Sequence, residues 1–261
     1  MKTDRVAALA LLVALLGVPA VHAGGHAAKA DTITLWNEGK TLFPTEVVLP
    51  EGFVAGEPHS FVLALHGFGG TAAAFRRLAP PFTAAGIVFA LPEASYSMLD
   101  DHGKLAYDWW LYHLREDHAL QIRAARLVVT GYLPAVIEDL RSRYAVEHLY
   151  LLGFSQGAQT SYILGLTRRE LVDGIIAFGG FTAASWFPEG TLPSAKRVPV
   201  LIVHGKSDES VPFAMAERTR DLLRANGNDV TFRSFEGGHE VPQDQLVVAV
   251  DWIREQEKRR K

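Results

Sequence analysis

The 261-residue sequence contains no cysteine, which removes disulfide bridges, thiolate metal sites, a cysteine nucleophile and thioether lipid attachment together. Any chemistry must come from oxygen and nitrogen side chains. A basic excess is equally absent: 26 Lys and Arg stand against 29 Asp and Glu, a net charge of −3. With no positive field to neutralise a phosphate backbone, a nucleic-acid partner is not expected. Internal repeats, low-complexity stretches and compositional breaks that would mark a linker are also missing. What remains, 48% hydrophobic and 21% charged residues, excludes disorder, collagen and coiled coil and describes a soluble globular chain with one sizeable core.

A membrane-spanning helix needs roughly 20 apolar residues. The N-terminal run from Val6 to Gly17 is shorter, follows Lys2 and Arg5, and is broken by Pro19. Val21-His22-Ala23 places small residues where a signal peptidase reads, so residues 1–23 are expected to be a signal peptide cleaved after Ala23. The product is then secreted or periplasmic, with no stable membrane anchor. Residues 24–31 lack periodicity and are expected to be a flexible N-terminus, and residues 32–261 to be a single domain.

From Thr32 onward, strands alternate with helices. Thr32 to Trp36 and Glu46 to Leu49 alternate apolar and polar residues, predicting a half-buried hairpin at a sheet edge. Phe61 to Leu65, Ile87 to Leu91, Leu149 to Leu152, Gly174 to Phe178 and Val198 to Val203 are nearly continuous apolar runs, as parallel strands covered on both faces require. Leu133, Val136, Ile137, Leu140 and Tyr144 recur at helical spacing, and Gly131 and Pro134 predict a kink or fresh start near Leu133. Helices over Phe213 to Ala225 and Leu246 to Ile253 flank a strand from Val230 to Phe235. The fold class is α/β, a mostly parallel central sheet with helices on both faces. The basic residues Lys258 to Lys261 read as a solvated helix end, favourable near the negative pole of the helix.

Gly153-Phe154-Ser155-Gln156-Gly157 is a G-x-S-x-G pentapeptide between an apolar strand and a helical stretch beginning at Ala158. That setting suits a nucleophile on a strained turn, with glycines where side chains would strike the neighbouring strand and helix. A serine hydroxyl is a weak nucleophile at neutral pH and needs a base and an orienting acid. Asp208 follows the run ending at Val203, and Gly237-Gly238-His239 follows the next helix and strand, giving the order nucleophile, acid, base. Simpler roles stand beside these: Ser155 as a helix N-cap, Asp208 as a turn residue with Glu209 as the acid, His239 as a plain loop histidine. His204 ends a buried strand, where packing and a backbone hydrogen bond account for it, and it is left out of the triad.

Acyl transfer also needs N–H donors aimed at the developing oxyanion. One is expected from the backbone of Gln156, directly after the nucleophile, and a second from Phe68 in His66-Gly67-Phe68-Gly69-Gly70, which follows the strand Phe61 to Leu65. The alternative for the latter is a glycine-rich turn entering a helix at Thr71. With these residues in place, the chain resembles the phospholipase/carboxylesterase branch of the α/β-hydrolases, the group that includes acyl-protein thioesterases. The resemblance rests on His66-Gly67-Phe68-Gly69, the pentapeptide at 153–157, Asp208 with Val211-Pro212, and Gly238-His239. It implies an α/β-hydrolase fold and a serine esterase with the triad Ser155, Asp208 and His239, oxyanion donors at Phe68 and Gln156, and no metal or organic cofactor. Gly70 departs from the acidic residue usual in thioesterase-like members. Secreted feruloyl and polyester-type esterases resemble the chain at the same motifs.

The aromatic run Tyr107-Asp108-Trp109-Trp110-Leu111-Tyr112 has no clean strand or helix pattern, and Phe181, Trp186 and Phe187 form a second group. Loops after strands build the pocket wall in such folds, which makes Trp109 and Trp110 candidate substrate-binding residues, with a satellite core as the competing role. The expected function is a secreted carboxylic-ester hydrolase working on a small-molecule or lipid ester through an acyl-enzyme. A peptidase using the same triad is one rival. A non-catalytic binding protein on the same fold is another, and it predicts a damaged site.

Overall fold

The computed structural model describes residues 42–54, 56–114, 116–188, 190–192 and 198–260. Seven strands form one sheet in the order β1-β3-β2-β6-β7-β8-β9: β1 (Thr45–Val48), β2 (His59–Leu65), β3 (Val88–Pro92), β6 (Val146–Phe154), β7 (Gly174–Phe178), β8 (Val200–Gly205) and β9 (Val230–Phe235). Among the described strands of this sheet, only β1 runs antiparallel, paired with β3. The remaining neighbours are parallel. The five expected apolar runs are the five inner strands: Gly174 to Phe178 is β7 itself, and the other four are shifted or extended by a few residues. Thr32 to Trp36, the expected partner of β1, lies outside the described residues, as do the segments 1–23 and 24–31.

Alternation along each inner strand explains the two-faced core. Phe61, Leu63 and Leu65 of β2 join Leu149 and Leu151 of β6 on one face, whereas Val62 and Ala64 join Tyr150 and Leu152 on the other. Helices α4 (Leu133–Arg143), α5 (Gln156–Thr167) and α6 (Phe213–Ala225) cover the first face through Leu133, Ile137, Leu140, Tyr162, Leu166, Ala216 and Leu223. The second is covered by α1 (Ala72–Phe75), α2 (Pro80–Ala84) and α7 (Gln243–Arg260) through Phe75, Phe82, Leu246, Trp252 and Ile253. Each large apolar side chain buried this way contributes about 1.5–3 kcal/mol relative to exposure.

The expected irregularity near Leu133 is a π-helical turn, Val128–Tyr132, joining α3 (His118–Leu127) to α4. Pro134 follows that turn within a continuous helical run and has no N–H to give the preceding carbonyls. A short hairpin, β4 (Tyr96–Leu99) with β5 (Leu105–Asp108), stands apart from the main sheet. It was not legible as strands, because the exposed Leu99 and Leu105 face each other across it. The basic end of α7 is more than a solvated tail: Arg259 pairs with Asp229 at 2.8 Å, and Arg260 reaches Asp173.

Candidate active site

Strand β6 ends at Phe154 in the middle of the sheet, and the chain turns abruptly at Ser155 into α5. Ser155 adopts φ 54° and ψ −117°, a region that side-chain-bearing residues avoid at a cost of about 1–3 kcal/mol. The conformation is pinned at both ends. Ser155 N–H donates to Phe178 O at the end of β7 (2.9 Å), and Gln159 N–H donates to Ser155 O (3.1 Å). The flanking glycines answer to contact: a Cβ on Gly157 would lie 2.0 Å from Leu65 O, and one on Gly153 would lie 2.3 Å from Gly157 O. Although Ser155 precedes the first residue of α5, its hydroxyl makes no capping bond. The helix-cap role is therefore not what the structure gives this side chain.

Asp208 lies on the loop after β8 with its side chain fully buried. Oδ1 accepts Ser210 N–H (2.9 Å) and Val211 N–H (2.7 Å), and Oδ2 lies 2.7 Å from His239 Nδ1. Three donors thus hold this buried carboxylate. Because Nδ1–H of His239 is committed to Asp208, Nε2 of the neutral ring is left as the basic nitrogen. Glu209, the competing acid, is exposed. The His239 ring stacks 4.7 Å from the Phe154 ring, next to Ser155. A Cβ on Gly179, at the end of β7, would come within 3.2 Å of both rings. Ser155 Oγ makes no hydrogen bond among the described residues; such catalytic contacts commonly tighten only around substrate.

The loop after β2 packs on the same corner, since a Cβ on Gly67 would lie 3.1 Å from Phe154 and 3.4 Å from Ser155 Cβ. Gly69 takes φ +72°, which only glycine adopts freely. Gly69 N–H donates to Tyr107 O (2.9 Å), and Tyr107 N–H to Gly70 O (3.1 Å). His66 holds the loop from below. Its Nδ1–H donates to Gly67 O (2.8 Å), and its Nε2 lies 2.9 Å from Glu93 Oε1, a carboxylate that also accepts Ala72 N–H. Neither Phe68 N–H nor Gln156 N–H donates to a protein acceptor among the described residues. Gln156 N–H directly follows Ser155 in the chain, and Phe68 N–H follows Gly67, which packs on the same corner.

The expected substrate role of Trp109 is corrected. Trp109 is fully buried, and its indole N–H donates to His66 O at 2.8 Å. The ring is a strut under the loop that carries Phe68 and presents no surface to a substrate. Trp110 is half-buried and meets Trp186 edge-on at 5.9 Å, and Trp186 packs against Phe181 at 5.0 Å. The two aromatic groups of the sequence thus meet through Trp110 and Trp186. On the other side, the half-exposed Phe68 and Tyr112 pack edge-to-face at 5.4 Å.

Asp108, hidden in the aromatic run, was missed as a site-forming residue. It is fully buried, and its Oδ1 accepts Gln156 Nε2 (2.7 Å) and Trp110 N–H (2.9 Å), while its Oδ2 accepts His113 N–H (3.0 Å) and Nδ1–H (2.8 Å). Trp109 N–H completes the grip on Gln156 Oε1 (3.1 Å). A charged residue inside an apolar run was the available signal.

A family model described as phospholipase/carboxylesterase matches residues 54–256. A probable carboxylesterase of rice, Oryza sativa subsp. japonica, is 26% identical over 222 residues, 80% of this chain and 82% of its own length. Acyl-protein thioesterase 1 of Neurospora crassa is 28% identical over 137 residues, 51% of this chain and 56% of its own. Among solved structures, esterase PE8 superposes with a TM-score of 0.68 at 28% identity, covering 82% of this chain and 98% of its own.

Proposed function

The chain belongs to the phospholipase/carboxylesterase family of ester hydrolases, and from that premise we propose that it cleaves carboxylic esters through a covalent acyl-enzyme on Ser155. The observation that carries the reading is the 2.7 Å bond from His239 Nδ1–H to the buried Asp208, set beside a serine held on a strained turn. His239 Nε2 takes the Ser155 proton as Oγ attacks the carbonyl carbon, and returns it to the departing alkoxide. Asp208 keeps the imidazole in the tautomer that leaves Nε2 basic, and stabilises the positive charge formed in attack. Phe68 N–H and Gln156 N–H hold the oxyanion, each worth about 2.7–4 kcal/mol of barrier by comparison with a well-studied donor. Water, deprotonated by His239, then attacks the acyl carbon; Ser155 Oγ leaves and recovers its proton, and the acid departs.

The substrate is a small-molecule or lipid ester whose apolar acyl or aryl part packs against Phe68 with Tyr112, or against Trp110 with Trp186 and Phe181. We also propose export after cleavage following Ala23, which N-terminal sequencing of the protein recovered outside the cytoplasm tests directly.

Incubation with a fluorophosphonate probe and with p-nitrophenyl esters of graded chain length tests the chemistry. Ser155 is expected to be labelled, with turnover peaking at one chain length. Ser155→Ala is expected to fold and to lose kcat by a factor on the order of 10⁶. Substantial turnover by pure, folded Ser155→Ala would end the assignment, and labelling without ester turnover would turn it toward peptides or bulky aryl and polymeric esters.

A further inference from the structure

His204 is the penultimate residue of β8 and is completely buried. Its Nε2 lies 2.8 Å from Val211 O and 3.3 Å from Asp208 Oδ2, the same oxygen that receives His239 Nδ1–H. Its Nδ1 is buried with no hydrogen-bond partner. A proton on Nδ1 would be a buried donor without an acceptor, whereas a proton on Nε2 meets two oxygens, so the ring's proton sits on Nε2. Val211 in turn donates its N–H to Asp208 Oδ1 at 2.7 Å. His204, Val211 and Asp208 therefore close a ring: the imidazole fixes the Val211 carbonyl, the Val211 amide fixes one carboxylate oxygen, and the imidazole N–H pole lies against the other.

We propose that His204 is a positioning residue for the ester-hydrolase reaction, a second imidazole on the Asp208 oxygen that receives His239 Nδ1–H, which fixes Asp208 and so orients the base. It touches no substrate. Its effect runs through Asp208, whose carboxylate must keep one oxygen aimed at Nδ1 of His239 for the base to hold the working tautomer. With both His204 and the Asp208 side chain fully buried, that N–H pole acts in a low-dielectric setting, where a polar contact counts for more than in water. A role limited to bolting the loop would demand only the bond to Val211 O.

The inference rests on the triad reading above, and the experiment separates the two. His204→Phe keeps an aromatic ring and removes the donor, whereas the amide of His204→Gln reaches the Nε2 position and keeps it. His204→Phe is expected to lose kcat about 10-fold with KM within about twofold of the parent. The low-field proton resonance of His239 Nδ1–H should shift or broaden, and His204→Gln should recover most of kcat and the resonance. Unchanged kcat and an unmoved resonance in folded His204→Phe would overturn the proposal, as would equal losses in both variants. Nitrogen-15 NMR of histidine-labelled parent protein keeps the test independent of variant folding. An Nε2–H tautomer at His204 is expected, and an Nδ1–H tautomer or an imidazolium refutes the geometry. Failure of the parent to react with a fluorophosphonate would instead strike the Ser155 reading and leave the His204 tautomer measurable.

Discussion

Ser155 carries the strain of the site in its own backbone, at φ 54° and ψ −117°. Glycine occupies that region without Cβ conflict, so Ser155→Gly and Ser155→Ala should both be inactive yet differ in stability. Ser155→Gly is expected to be the more stable by about 1 kcal/mol, measured as a higher midpoint in thermal unfolding. Equal midpoints would mean that the turn stores no strain. The neighbouring glycines behave in the opposite sense. At Gly157 an added Cβ would meet Leu65 O at 2.0 Å, backbone against backbone with no flexible atom to yield. Gly157→Ala is expected to cost well over the ~1 kcal/mol typical of a point substitution, read from urea unfolding. Gly131, where a Cβ meets nothing within 4 Å, is the matched control on a helical segment.

Between elements, the site depends on side chains that lash one loop to the next. The end of β5 is tied to the start of α5 by Asp108, and its carboxylate accepts four donors, one of them the Gln156 amide. Asn at this position offers one oxygen and brings its own donors toward N–H groups, leaving buried donors unsatisfied at about 1–3 kcal/mol. Asp108→Asn is therefore expected to lower the urea midpoint and also kcat, because this carboxylate holds the residue whose backbone N–H is the proposed oxyanion donor. An unaltered kcat in a destabilised Asp108→Asn would confine the tie to folding. Across the same corner, Trp109 braces the loop after β2 through its bond to His66 O. The proposed oxyanion donors thus stand on two elements, each buttressed from the end of β5 and the aromatic residues next to it.

In the molecule as a whole, the sheet separates two buried layers, and tyrosines report on both. Tyr162 lies in one layer and Tyr150 in the other, while Tyr132 donates to Glu93 O at 2.8 Å. Burial holds all three phenols well above the ordinary value near 10, with the charge of Glu93 adding to the effect at Tyr132 and that of Glu257 at Tyr150. The fold thus favours neutral phenols. Their contribution to stability is complete below about pH 10, where the unfolded chain begins to ionise, and falls as pH rises toward the folded values. In an alkaline titration followed at 295 nm and by circular dichroism, these three of the seven tyrosines are expected to ionise only as structure is lost. Ionisation of all seven with the fold intact would contradict the burial. Much of this architecture was legible in the chain itself. The five inner strands announced themselves because a strand covered on both faces must be apolar at nearly every position. The turn at Ser155 and the glycines around it were readable for a similarly local reason, since backbone conformation and the space beside it are set within a few residues. The positions of Phe68, Asp208 and His239 could be read at the level of loops, because strand ends in a parallel sheet share one edge. Contact between distant segments settled the rest. Trp109 and Trp110 are the same residue type side by side, yet one is sealed under the His66 carbonyl and the other meets Trp186 edge-on. Asp108 binds a residue 48 positions away, and Asp208 was chosen over Glu209 by a bond spanning 31. Periodicity and glycine requirements are local and therefore written in the sequence, whereas the burial of one ring and the aim of one carboxylate follow from which remote surfaces pack together.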